Sequence, residues 1–266
     1  MQITHPSAYY NGQPPENVFL VTDDAGSQIS SGYVVYQYLP HLYPDRPVNV
    51  YFTSEGQREG QYMLFGALIA RARQLRDANP NEQARVYTCL RPDDREAIDF
   101  YTQSGLNCSE REVFVQLALP EGEVHVPMAC STEETPLFLP NQQMAFLDRL
   151  QRNDVTHIDA TFLMQLMRTQ HFHAVGLFTQ GQLAGEILVA GSGYQAEILA
   201  LYISLPFRRS GLATALARRA LWNLTQEGVR YAAARFVTRS VPQKALMKTL
   251  GTGDEQTTAV FPQLFM

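Results

Sequence analysis

The stretch "PFRRSGLATALARRAL", Pro206 to Leu221, decides how this chain is read. Ala213, Leu216, Ala217, Ala220, Leu221 and, just beyond the stretch, Leu224 recur at helical spacing and predict an amphipathic helix beginning near Gly211. Two arginines and a lone glycine stand directly ahead of it. The first turn of a helix presents unpaired N–H groups and the positive end of the macrodipole, so cations there are unfavourable unless an anion joins them. A negatively charged ligand is the expected occupant.

The surrounding composition narrows that ligand. The chain has 266 residues, 45% of them hydrophobic, a net charge of -5 and a pI near 5.7, which argues against general affinity for nucleic acid or an anionic membrane. Basic residues nevertheless collect in one region: between Leu205 and Leu250 stand Arg208, Arg209, Arg218, Arg219, Arg230, Arg235, Arg239, Lys244 and Lys248 against Glu227 alone. Such a local excess fits either a compact polyanion or a solvated helix face. Cys89, Cys108 and Cys130 are too few and scattered for a disulfide framework. The first ten residues show no basic region followed by an apolar run, and the longest apolar stretch, Tyr62 to Ala70, ends at Arg71. A cytoplasmic protein is the expectation.

Outward from the quoted helix, alternation and helical periodicity predict two similar halves. The first reads as strands at Val18–Thr22, Tyr33–Leu39 and Val48–Thr53, a helix over Gly60–Ala78, a strand at Arg85–Leu90, a helix over Asp93–Gln103 and a strand at Glu112–Leu119. A proline-rich, acidic connection follows, with a strand expected at Val124–Ala129 and a capping-box pattern at Ser131 and Glu134. The second half reads as helices at Asn141–Arg152 and Asp159–Arg168, strands at Phe172–Thr179, Gln182–Ala190 and Ala196–Ser204, the quoted helix, a strand at Tyr231–Thr238 and a helix at Pro242–Leu250. The shared phrase repeats at an offset of about 150 residues, with domains expected at 1–122 and 123–266. The first copy lacks the helical pair.

Arg208, Gly211 and Ala213 fit R/Q-x-x-G-x-G/A between a strand and a helix, and Glu197 to Leu221 resembles the acyl-CoA signature of the GNAT superfamily of N-acetyltransferases. That resemblance implies an α/β fold with a mixed sheet, two acyl-CoA N-acyltransferase domains in tandem, and acetyl-CoA or another acyl-CoA as cosubstrate. It implies that Arg208, Arg209, Ser210, Gly211, Leu212, Ala213 and Thr214 bind the pyrophosphate, that main-chain groups around Leu201, Tyr202 and Ile203 serve the thioester, and that Glu197 stands where some members carry a general base. The acceptor would be a primary amine of a small molecule or peptide. In the first copy the matching letters are Gln57, Gly60 and Tyr62, and the tyrosine should crowd a phosphate; this half reads as a degenerate repeat.

Alternation places Glu197 on a face with Leu199, Leu201 and Ile203, where desolvation should raise its pKa. Members often carry a tyrosine near position 247 that protonates the leaving thiolate; here Met247 cannot. Tyr101 keeps that place in the first copy as a packing residue, and Tyr202, Tyr231 or water is the substitute in the second. Met247 therefore keeps open a protein that binds CoA without turnover, and an adaptor built of paired repeats is a third reading. His171 and His173, with His157, invite a metal, but without a cysteine or acidic partner at diagnostic spacing they read as structural or substrate-lining.

Overall fold

A computed structural model describes all residues from Met1 to Met266. The chain forms two compact units, one of Met1–Arg111 with Ala259–Met266 and one of Glu112–Thr258. In the first, β1 (Gln2–Thr4), β2 (Val18–Thr22), β3 (Gln28–Tyr38) and β4 (Val48–Gly56) form an antiparallel meander. Next, α1 (Arg58–Arg76) leads to β5 (Ala84–Tyr87), parallel to β4, and α2 (Arg95–Gln103) follows. Alternation explains the packing: Val34, Val48, Val50, Phe52 and Val86 point to the face where Leu64 and Leu68 of α1 meet them. As expected, no α-helix lies between β1 and β2.

The second unit takes up the chain within β6 (Asn107–Leu117) and continues through β7 (Cys130–Glu134), α3 (Pro140–Arg152), α4 (Ala160–Leu166), β8 (His171–Thr179), β9 (Gln182–Ser192), β10 (Gln195–Ile203), α5 (Leu212–Gln226), β11 (Tyr231–Val237) and α6 (Val241–Leu250). Its strand order is β6-β11-β10-β9-β8-β7, with β10 and β11 parallel and the other pairs antiparallel. Leu216, Leu221 and Leu224 of α5 bury one face against Val175, Ile187 and Ile198. Phe146, Leu150 and Leu163 of α3 and α4 bury the other against Ala174, Leu188 and Tyr202, and that second core takes no residue from β11 or β6. The far face of β11 and β6 is therefore left without helices. No helix is long and apolar enough to cross a membrane.

The last strand, β12 (Gly251–Phe265), was not legible in the sequence. Its residues from Ala259 belong to the first unit, where Gln263 and Leu264 pair antiparallel with Tyr87 and Val86 of β5. Conversely, β6 from Glu112 pairs antiparallel with β11 of the second unit. Each half thus ends in a strand that completes the other unit's sheet, and the division falls at 111/112 and 258/259 rather than at 122/123. Two glycines, a polar first half and Pro262 depress strand propensity in β12, so its pairing comes from the partner edge. Residues 124–129 form no strand; the edge strand is β7, so Ser131 and Glu134 are strand residues and not a capping box.

Gln263 is held in place by charge. Arg85 is 2% exposed, donates to Glu110, Asn49 and Gln263, and lies 4.2 Å from the Tyr87 ring centroid. Leaving one charge of such a pair buried alone is far costlier than replacing both by apolar groups. Arg85→Met or Glu110→Leu singly should lower unfolding free energy by about 3–5 kcal/mol in urea titration. The double variant should lose less than either single one, and a purely additive loss would contradict the coupling.

Candidate active site

In the second unit, β10 pairs with β11 only from Gln195 to Ile198 but stays paired with β9 as far as Ile203. Beyond Ile198 the parallel strands part, and a register shift between Ile198 and Ala200 marks a bulge at Leu199. One extra residue reverses the side-chain alternation. Before the bulge Ala196 and Ile198 face α5; after it Leu201 and Ile203 do, while Ala200 and Tyr202 enter the core under α3 and α4. Glu197 consequently shares a face with Tyr202, and not with Leu201 and Ile203 as uninterrupted alternation implies.

The parted strand has a defined polar edge. The Ser204 amide donates to Ala184 O at 2.8 Å, so along this ladder the main-chain groups of Tyr202 also point to β9, and the N–H groups of Leu201 and Ile203 point into the gap. Of the three expected residues, two face the gap and Tyr202 does not. Side chains cap carbonyls on the gap side: His157 Nε2 donates to Leu199 O at 2.9 Å and Arg208 Nε donates to Ile203 O at 2.8 Å.

At the end of this strand a 3-10 turn (Leu205–Phe207) leads into the loop before α5. Arg209 has φ 63° and Gly211 φ 78°, two left-handed positions within three residues. Gly211 is the N-cap of α5 and offers no side-chain cap; the first helical bond runs from Ala215 N to Gly211 O at 3.1 Å. The N–H groups of Leu212, Ala213 and Thr214 therefore lack intrahelical acceptors and form a concave donor set suited to an anion. A Cβ on Gly211 would meet nothing within 4 Å, so backbone conformation, not crowding, demands glycine there. Leu212 buries its side chain in the core and contributes only its N–H. Ser210 Oγ donates to Phe207 O at 2.5 Å and tightens the turn. Of the two arginines, Arg208 turns back to Ile203, and burial holds its pKa below the ordinary value. Arg209 makes no ion pair within the chain and is the cation left for a ligand.

The first unit repeats the parting without the loop. There β4 pairs with β5 only from Val48 to Tyr51 while its pairing with β3 runs on to Gly56. Gln57 alone separates β4 from α1, whereas residues 204–211 separate β10 from α5. Gly60 lies inside α1, where a Cβ would collide with Ser30, and the half-exposed Tyr62 packs on Phe100 at 4.9 Å. What separates this unit from the second is the missing loop, and Tyr62 packs away on Phe100. Tyr101 is buried among Phe52, Phe65 and Phe100, and Met247 belongs to the core of the second unit.

Glu197 opens on an exposed cleft of about 490 Å³ on the face that α3 and α4 leave bare, lined by Phe114, Gln116, Gln195, Tyr231 and Ala233 among others. Desolvation raises the Glu197 pKa above 4.5, against the opposing pull of Arg235, whose Nε stands 3.0 Å from Oε1. Arg235 also lies 4.0 Å from Glu112. Sequence reasoning missed this pair, although alternation in "YAAARFV" puts Tyr231, Ala233 and Arg235 on one face; the missing fact was the register that sets Ala233 beside Glu197.

Tyr202 is a poor proton donor to a ligand. Its hydroxyl donates to Glu186 Oε2 at 2.6 Å in a buried network where Arg149 grips the same carboxylate twice at 2.8 Å and Thr135 donates at 3.1 Å. Burial, with the Glu186 charge, pushes the phenol far up. The three histidines do not converge. His157 serves Leu199, while His171 and His173 both contact Glu227 at the C-cap of α5, at 2.8 and 2.6 Å. His173 also meets Glu134 at 3.2 Å.

No protein-family model matches the chain and no curated protein does. Among solved structures, a GCN5-related glucosamine N-acetyltransferase region of a fungal multi-domain GH3 β-N-acetylglucosaminidase aligns over 93% of this chain and 32% of its own, with a TM-score of 0.50 and 10% identity. The fold is that of the GCN5-related N-acetyltransferases. Two further structures align less closely: a GCN5-related N-acetyltransferase from Sphaerobacter thermophilus covers 95% of this chain and 82% of its own at TM-score 0.48 and 15% identity. A tandem GNAT protein from the clavulanic acid biosynthesis pathway covers 93% and 82% at TM-score 0.45 and 15% identity.

Two expectations check these assignments. Tyr202→Phe removes a hydrogen bond to a buried carboxylate and should cost about 1.5–3 kcal/mol of stability in chemical denaturation; an unchanged midpoint would remove Tyr202 from the Glu186 network. The hydrogen bond to Glu134, aided by the Glu227 charge, raises the His173 pKa despite burial. Its folded pKa exceeds its unfolded one, so this stabilisation is complete below the ordinary histidine value of 6.5 and fades as pH climbs through the raised one. Melting curves should show that decline above pH 6.5 in the wild type and a flatter profile in His173→Asn.

Proposed function

We propose that the second unit binds an acyl-CoA, acetyl-CoA in the simplest case, and transfers its acyl group to a primary amine of a small molecule or peptide. The observation that carries this reading is the continuity of one strand. The parted edge of β10 offers the N–H groups of Leu201 and Ile203, and the same strand ends in a loop whose open N–H groups at Leu212, Ala213 and Thr214 suit a diphosphate. Arg209 and the positive end of α5 add charge of the right sign. A thioester supplies the activated acyl group; the chain supplies placement, donors and a base. Glu197, the carboxylate nearest the parting, is the group to take the ammonium proton, since an amine is nucleophilic only when neutral.

Met247, buried where the resemblance expects a tyrosine, favours a second reading in which CoA is bound without turnover. Two measurements test the pair. CoA at 100 times its dissociation constant should stabilise the wild type by about 2.7 kcal/mol in thermal melts. The Gly211→Glu variant, with its strained φ and added anion, should show no ligand-induced shift whatever its own melting temperature; equal shifts would place the ligand elsewhere. Release of free thiol with an amine should rise with pH across a limb beginning above 4.5, and Glu197→Gln should abolish that limb. Tight CoA binding with no thiol release from any amine would select the second reading.

A further inference from the structure

The cleft beside Glu197 carries a charge that a simple amine would not want. An amine arrives as an ammonium ion, and an arginine in contact with the base both repels it and restrains the base from accepting its proton. Arg235 stands beside the cleft and not in its lining: its side chain is 51% exposed, and it lies on β11 two residues beyond Ala233, on the same sheet face as Glu197. Nε touches Glu197, Nη1 stands 4.0 Å from Glu112, the guanidinium carbon lies 6.0 Å from the Phe114 ring centroid, and no further ion pair occupies the Nη groups. Two carboxylates and one guanidinium leave a net negative site with a single, half-open cationic fork. That fork is shaped to take a carboxylate through two parallel N–H donors.

We infer that the acceptor is a primary amine bearing a carboxylate a few bonds from its nitrogen, the carboxylate held by Arg235 and the amine by Glu197. This rests on the acyl-transfer reading above. The spacing follows from the contact: Glu197 Oε1 is 3.0 Å from Arg235 Nε and the Nη donors lie on the same planar guanidinium, so an amine on Glu197 and a carboxylate on those Nη groups are separated by a few bonds, as in an α- or β-amino acid. A ligand carboxylate on Arg235 also neutralises the charge that opposes Glu197, so the base is released by the substrate it serves. In the transfer, one ammonium proton passes to Glu197, and the nitrogen forms the new C–N bond as the thioester C–S bond breaks. The second proton lost from nitrogen ends on the departing thiolate. Phe114 and Tyr231 line the slot with Ala233, whose small side chain faces it beside Glu197 and leaves room for a short side chain.

The test is thiol release from acetyl-CoA by the full chain with matched acceptors: alanine and β-alanine against alaninamide, ethylamine and putrescine. The free acids should exceed the amide and the amines in kcat/KM by at least about 10-fold. Arg235→Gln should erase that preference mainly through KM, and Arg235→Lys, which keeps the charge without the fork, should fall between. Melting temperatures within a few degrees of wild type establish that both variants fold, as expected for a half-exposed pair. Calorimetric titration of the same acceptors into the protein saturated with CoA gives a readout independent of turnover. Amides, amines or putrescine performing as well as the acids in either assay, or acids failing to bind while acetyl-CoA binds, would overturn the inference and leave the acyl-transfer reading intact. Failure of acetyl-CoA itself to bind would overturn both.

Discussion

The parting of β10 from β11 after Ile198 is the constraint on which the rest depends. A parallel pair ordinarily satisfies its main-chain groups by mutual hydrogen bonds, and breaking it in the middle of a sheet exposes donors and acceptors that need partners. Here β9 holds the whole length of β10, the bulge at Leu199 absorbs the mismatch, and His157 and Arg208 take the carbonyls at the two ends of the open edge. The N–H groups of Leu201 and Ile203 and the carbonyl of Leu201 are what remain in the gap. Two donors to one acceptor bias the edge toward a ligand with acceptor oxygens.

The bulge does a second thing, because reversing the alternation sends Glu197 and Tyr202 to the same face while sending Leu201 and Ile203 to the α5 core. Glu197 reaches the uncovered part of that face and keeps access to solvent, while Tyr202 passes beneath α3 and meets the Arg149–Glu186 pair. Two ionisable side chains five residues apart on one strand therefore differ in role. One is half-buried beside a cleft with an adjustable arginine; the other is locked to a buried carboxylate. Buried polar groups without partners are costly, so the network under α3 is complete around Glu186, whereas the cleft retains an arginine with donors to spare.

Comparison of the two units shows how little separates the glycine loop of the second from a plain turn. Both part their central parallel strands, and both follow with a helix, but only the second inserts residues 204–211 with their left-handed positions at Arg209 and Gly211. Without that insertion α1 begins at once, and its first turn packs on Ser30 at Gly60. The exchange of β6 and β12 between units, tied in the first unit by the Arg85, Glu110 and Gln263 cluster, means that neither half of the chain completes its own sheet.

Local pattern carried a good part of this. Helical periodicity located α1, α3 and α5, alternation located β2, β4, β8 and β10, and the spacing of Arg208, Gly211 and Ala213 marked a loop whose glycine does adopt φ 78°. These are properties of contiguous residues, decided by where apolar side chains recur and which residue tolerates a left-handed backbone. Other features depend on residues far apart in the chain: the bulge that turned Glu197 away from Leu201, the register that brought Arg235 to it, and the pairing of a glycine-rich, proline-bearing tail with β5. So the sequence by itself determined most of the elements, their repeated order and the left-handed glycine of the loop before α5. Tertiary structure decided the strand exchange and the ionic company of each carboxylate, because register and burial are set by partner strands that no single segment encodes.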